Sequence, residues 1–176
     1  MKKQSNGFTL IELVVVIVIL GILAVTAAPK FLNFADDAHE SAAQGSFGAF
    51  KSALQLYKSQ WLIDGEPTTR AVEGYANDVL FASIEGFPIG DTAGVTGSGC
   101  GEIWNNLLDS DLTTAEFGAS IFPSLVDVKY WYTGDNKCIY YYIGTHKNKT
   151  TSIELPQLTY DPATGSTIFE HNTPSF

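Results

Sequence analysis

The sequence predicts an α+β protein: one long N-terminal α-helix whose C-terminal half packs on an antiparallel four-stranded sheet. Three observations lead there. Residues 8–28 form an almost unbroken apolar run. Residues 30–63 carry small or apolar side chains every three or four positions, the period of one helix face. Beyond residue 125 the period shifts toward two, the signature of half-buried strands.

The chain begins MKKQSNG and continues FTLIELVVVIVILGILAVTAAP. From Phe8 to Ala28 the polar side chains are Thr9, Glu12 and Thr26. As a helix this run is ~32 Å long, the thickness of a bilayer's hydrocarbon core. Lys2 and Lys3 precede it, so the positive-inside rule keeps the N-terminus in the cytoplasm and sends the rest outward. A secretory signal peptide is the rival reading, with Ala24-Val25-Thr26-Ala27-Ala28 as a loose cleavage site. Against it, the apolar run is longer than a typical signal, and an amphipathic helix follows Pro29 where a polar mature terminus would begin.

Glu12 stands out in this run. A carboxylate deep in an apolar segment costs about 2.5–3.5 kcal/mol on insertion scales. One reading places it in the first helical turns, near the interface and favoured by the helix dipole. The other pairs it with a cation inside an assembly. No Lys or Arg lies between Lys3 and Lys30. Cleavage after Gly7 would create that cation as the α-amine of Phe8, and one subunit's amine could meet another's Glu12 where the dielectric is low.

Gly21 and Pro29 interrupt good helix-forming sequence. They cost about 1 and 3 kcal/mol against Ala, and Pro29 removes its own N–H and crowds the carbonyl of Val25. Membrane helices tolerate both as an ordinary glycine and a kink. After Pro29, Phe31, Phe34/Ala35, Ala38, Ala42, Gly45, Ala49, Ala53 and Leu56/Tyr57 share one helical face. That face is expected to lie on the chain's own core. Asp64-Gly65 supplies a stop.

Residues 64–99 read as a connecting region. Val79-Leu80-Phe81 is strand or short helix, and Gly86-Phe87-Pro88-Ile89-Gly90 is a turn. Gly97-Ser98-Gly99-Cys100-Gly101 lacks the context of a phosphate loop. A short helix is expected around Glu102–Leu108, with Ile103/Leu107 and Trp104/Leu108 paired at i,i+4. Val126 to Tyr132 alternates, Gly134-Asp135-Asn136 turns, and Cys138–Ile143 follows as a hairpin partner. Residues 152–160 and 166–170 flank Asp161-Pro162-Ala163-Thr164-Gly165 as a second hairpin. The tyrosines at 130, 132, 140, 141 and 142, with Trp131, read as sheet core and cross-strand packing in preference to an exposed sugar-binding face.

Charge narrows the partners. There are 10 basic and 19 acidic side chains, a formal net charge of −9. Without Lys2 and Lys3, eight basic side chains remain against 19 acidic ones, a net of −11 before termini. Nucleic acid is not indicated, because phosphate binding needs a basic surface. Cys100 and Cys138 lack zinc-site spacing, and an exported topology favours a disulfide between them. His39, His146 and His171 form no close pair, no GxSxG appears, and Asp109-Ser110-Asp111 lacks the rest of a calcium loop. No catalytic, metal or cofactor site is indicated. Asn148-Lys149-Thr150 matches a glycosylation sequon, a pattern common by chance.

Gly7-Phe8-Thr9-Leu10-Ile11-Glu12, with a basic leader before it and an apolar run after it, resembles the processing motif of type IV pilins and pseudopilins. The resemblance implies that a prepilin peptidase cuts between Gly7 and Phe8 and methylates the new amine of Phe8. It implies that Glu12 acts in subunit docking and methylation, and that the stretch bounded by Gly21 and Pro29 can unwind in the filament. The seven-residue leader is similar to the type IVa subclass. Phe8–Phe34, Asp36-Asp37-Ala38, and Cys100 with Ile103-Trp104 and Leu107-Leu108 resemble the mannose-sensitive haemagglutinin pilins, in which the segment between the cysteines, here 100–138, is surface-exposed and variable.

The implied organisation is a cleaved leader 1–7, an apolar membrane and filament-core helix 8–29, its amphipathic continuation 30–63, a connection 64–99 and a sheet region 100–176, the ladle shape of pilins. The implied partners are identical subunits in a helical homopolymer, the peptidase, an inner-membrane assembly machinery and a surface or host-cell receptor. Two other readings stand beside this one: a type II secretion pseudopilin, and a membrane-anchored carbohydrate-binding module or enzyme.

Overall fold

The structure, a computed structural model, describes residues 8–91, 95–118, 120–151 and 153–174. The expected leader, with Gly7, lies outside the described residues. The chain divides into two compact units after His39. A single helix, α1 (Leu10–Ile63), contributes to both.

In the first unit the helix is bare. Residues 8–26 are all exposed, Phe8 and Leu10 at 91% and 81%. The valines, leucines and isoleucines of this run are exposed. Burying each such side chain is worth about 1.5–3 kcal/mol, so this segment requires a lipid or protein environment. It is a helix long and apolar enough to cross a membrane.

The second unit is α+β. After α1 come a hairpin of β1 (Phe81–Ala82) and β2 (Pro88–Gly90), helix α2 (Gly97–Leu107), and strands β3 (Thr114–Glu116), β4 (Val128–Tyr132), β5 (Cys138–Tyr142), β6 (Leu155–Asp161) and β7 (Ser166–Asn172). The stretch 64–99 therefore holds a small sheet and the first turn of α2 as well as connections. The main sheet has order β3-β4-β5-β6-β7. Strands β4 to β7 pair antiparallel, as the two hairpins require.

The sheet has five strands, not the four expected, and β3 pairs parallel to β4. The three residues Thr114-Ala115-Glu116 are too short to show a periodicity. A parallel neighbour also needs a crossover connection and cannot be made by a tight turn. Residues 117–127 supply it. Ile121 and Phe122 from this crossover bury themselves with Tyr141, Ile143 and Leu155, a second small core apart from the main one.

The face that helix α1 buries coincides only in part with the one expected, the two sharing Ala53 and Tyr57. Its buried side chains are Ala43, Phe47, Phe50, Ala53, Leu54, Tyr57 and Trp61. Ala38, Ala42, Gly45, Ala49 and Leu56 are exposed. Both stripes repeat at the helical period, so spacing alone could not choose between them. Aromatic side chains bury far more apolar area than alanines, and the large-residue stripe takes the core.

Helix α2 starts five residues before the expected Glu102. Thr96 caps it, its Oγ1 accepting from the Gly99 N–H at 2.9 Å. The glycine-rich run is the first turn of this helix. A side chain on Gly101 would run into the ring of Tyr130, so close helix–sheet packing explains that glycine. Trp104, from the middle of α2, stacks on Phe50 of α1 at 5.4 Å and lies 5.1 Å from Tyr140 of β5. Three buried tyrosines anchor their hydroxyls on backbone carbonyls: Tyr57 on Leu80, Tyr140 on Cys100 and Tyr160 on Pro88, at 2.8–2.9 Å. Burial pushes the phenols of Tyr140 and Tyr160 well above their ordinary range.

The segment 100–138 is not simply surface. Ile103, Trp104, Leu107 and Val128 belong to the main core. Its exposed residues include Asp109–Asp111, the Gly134–Asn136 turn and, between them, Thr113, Glu116, Pro123 and Leu125. The tyrosines expected in the sheet core divide: Tyr140, Tyr141 and Tyr142 are buried, whereas Tyr130 and Tyr132 are half-buried.

Candidate functional site

The start of α1 is built around Thr9 and Glu12. Glu12 N–H donates to Thr9 Oγ1 at 3.3 Å, and Glu12 Oε2 accepts from the Thr9 N–H at 2.8 Å and the Thr9 hydroxyl at 2.7 Å. This is a reciprocal capping box, which satisfies two backbone donors that a helix start leaves unpaired. Its Thr-x-x-Glu pattern is visible in the sequence. The carboxylate thus has a role inside its own chain. It opens the helix in the orientation the macrodipole favours.

Glu12 also faces outward. It stands between two shallow apolar hollows of about 380 and 310 Å3, one running along Ile11 and Val15, the other along Leu13 and Ile17, with Phe8 at the head of both. Among the described residues Glu12 forms no ion pair with Lys, Arg or His, since the first basic side chain of α1 is Lys30. The structure therefore brings Phe8 and Glu12 to one helical end. The carboxylate lies among apolar side chains, so inside a lipid or protein assembly a cation meeting it there would find little competing water.

Farther along, Gly21 and Pro29 both lie within α1, and the helix runs through them. Open space surrounds the position a Gly21 side chain would take, so no packing inside the chain demands glycine there. Between the two, the Thr26 hydroxyl bonds back to the carbonyls of Leu23 at 3.0 Å and Ile22 at 3.3 Å. Such back-bonding competes with the helical ladder and favours bending. Pro29, meanwhile, leaves the Val25 carbonyl without its helical donor.

Cys100 and Cys138 form a disulfide with their Cα atoms 5.6 Å apart. Both are fully buried, and the bridge ties the first turn of α2 to the start of β5. The residues assigned from sequence therefore fall into two separate places: the helix start with its apolar run, and a covalent staple inside the domain. The small-residue face of α1 at Ala38, Ala42, Gly45 and Ala49 is an outer surface, although its spacing matches a core face equally well.

The sequence profile of the prokaryotic N-terminal methylation motif matches residues 2–28. No curated protein and no solved structure matches the chain. The motif is shared by type IV pilins and pseudopilins, and it supports a pilin-like prepilin whose apolar helix anchors it in a membrane before assembly.

Proposed function

We propose that this chain is the structural subunit of a type IV pilus, assembled through packing of its N-terminal helices and used for adhesion to surfaces, cells or biofilm. The methylation motif carries this reading, set on a helix whose apolar run is exposed all round. Before assembly the chain is a single-pass inner-membrane protein with its N-terminus in the cytoplasm. A prepilin peptidase removes residues 1–7 and methylates Phe8. The membrane assembly machinery then transfers the same apolar run from lipid into the fibre core. There the Phe8 amine of one subunit meets Glu12 of another, and residues 21–29 supply the weak stretch that lets the fibre extend. The resemblance of the region around Cys100 and Trp104 supports placing it with the mannose-sensitive haemagglutinin pilins. The chain is a building material and catalyses no reaction.

Mass spectrometry of sheared surface fibres tests this. The mature chain should begin at Phe8 with one added methyl group, and an N-terminus at Pro29 would make the apolar run an ordinary signal. Gly7 replaced by a bulky residue should leave precursor in the membrane. Absence of surface fibres, together with a secretion defect on gene deletion, would favour the pseudopilin reading.

A further inference from the structure

We propose that the second unit docks on another copy of itself, by seating the Ile84–Glu85 tip of one copy in the hollow between α1 and β7 of the next. The hollow measures about 340 Å3 and is lined by Phe47, Leu158 and Phe169, with Gly48 and Lys51 of α1 beside them. This deepens the filament reading and rests on it only for the supply of further copies, since both surfaces belong to the second unit.

The tip is an apolar knob held on a rigid base. Ser83-Ile84-Glu85-Gly86 is a tight turn closed by the Gly86 N–H, which donates to the Ser83 carbonyl at 2.9 Å. The Ser83 N–H donates to the Phe87 carbonyl at 2.7 Å, and the Phe87 N–H to the Ser83 hydroxyl at 3.2 Å. Gly86, at φ 80°, lies so close to the Trp61 ring that no side chain fits there. Lys58 Nζ sits 4.5 Å from the centre of the Phe87 ring. The base is therefore fixed before any partner arrives, which lowers the entropy lost on docking. Turn tips are normally small or polar, yet Ile84 stands here 81% exposed.

The hollow offers the complement. Phe47 and Leu158 are buried and make its floor, while Phe169 is 40% exposed and makes one wall. Gly48 leaves the helix side open, with nothing within 4 Å of the position its Cβ would take. A branched aliphatic side chain entering here removes apolar surface from water on both partners.

Charge selects the occupant. Lys51 lines the hollow, and among the described residues it forms no ion pair, hydrogen bond or ring contact. It is a free cation in a chain of net charge −9. The most exposed aliphatic side chains of the second unit are Leu125 at 96%, Ile84 at 81% and Ile63 at 77%. The acid near Leu125, Asp127, is held by Lys147, and the acid beside Ile63, Asp64, is held by Arg70. Glu85, beside Ile84, is exposed and free among the described residues. Ile84 and Glu85 thus present an aliphatic group and an unpaired carboxylate together, matching an apolar hollow with an unpaired ammonium. Because knob and hollow are different patches, the contact is head-to-tail and repeats from copy to copy instead of closing a two-fold dimer.

The test uses two differently tagged full-length chains expressed together, one carrying Gly48→Cys and the other Ile84→Cys. Both positions are open, and the native cysteines are bonded to each other. A short bis-maleimide applied to whole cells should join the two tags in one dimer. The yield should be at least about fivefold that obtained when Leu125→Cys replaces Ile84→Cys. Lys51→Glu or Glu85→Lys, placed in both chains, should each lower the yield about fivefold by setting like charges together, and the two combined should restore it. A yield no higher than the Leu125 control overturns the proposal, as does failure of the reversed pair to restore it. Shearing the same cells judges the filament separately. Fibres without the mixed dimer refute this contact alone, whereas the mixed dimer in membranes of cells without fibres upholds the contact and removes the filament.

Discussion

Replacing Gly45 by alanine tests which face of α1 belongs to the domain. Gly45 lies in mid-helix on the exposed stripe, and nothing stands within 4 Å of the position its Cβ would take. Alanine is favoured over glycine inside a helix by about 1 kcal/mol, through the lower backbone freedom of the unfolded chain. With no contact to disturb, most of that gain should appear as stability. The opposite face gives the contrasting number. Phe50 is fully buried and packs against Trp104, Tyr140 and Tyr160 with centroids 5.2–5.5 Å away. Phe50→Ala removes those contacts and leaves a cavity, and changes of this type cost about 3–5 kcal/mol. The assay is urea unfolding of the full chain, monomeric in detergent micelles, followed by near-ultraviolet circular dichroism of the buried aromatics. Gly45→Ala should raise the midpoint and Phe50→Ala should lower it strongly, with unchanged slopes. A loss of more than about 0.5 kcal/mol in Gly45→Ala would refute the orientation, since a surface change away from such contacts stays within that range.

Cys138→Ser opens a 38-residue separation and should destabilise the domain by about 4 kcal/mol in the chain-entropy account, read as a lower urea midpoint. Tyr160→Phe removes the buried hydroxyl bond to Pro88 and should cost about 1 kcal/mol, against nearly nothing for the exposed Ser52→Ala. Burial acts against ionisation of Asp127, but bonds from Lys147 at 2.7 Å and from the Thr113 hydroxyl and N–H outweigh it and hold its carboxyl below the usual range. A depressed pKa stabilises the fold above the unfolded value, near 4, and that contribution fades as pH falls through the folded value. The stability gap between wild type and Asp127→Asn should therefore be full at neutral pH and shrink below about pH 4.

The apolar run, the capped helix start and the processing motif are all local in sequence. A 21-residue stretch with three polar side chains is a membrane-length helix whatever follows it, and Thr9 and Glu12 are close enough along the chain to form their box without tertiary help. The two hairpins were legible for the same reason: alternation on each side of a short turn sets the pairing. The pairing of two cysteines is likewise nearly forced once no third is present.

What only the tertiary structure decided are choices between local patterns of equal quality. Two stripes on α1 share the helical period and meet at Ala53 and Tyr57, and packing against the sheet selected Phe47, Phe50 and Trp61 over Ala38, Ala42 and Ala49 because they remove more apolar area from water. Strand β3 has no periodicity of its own and exists because the 117–127 crossover lays it beside β4. Gly97 and Gly101 sit in the first turns of α2 where an added side chain would run into Glu116 and Tyr130, neighbours that only the fold brings there. Asn77 and Asn106 lie 29 positions apart, and only the fold of the second unit brings their side chains into hydrogen-bonding reach.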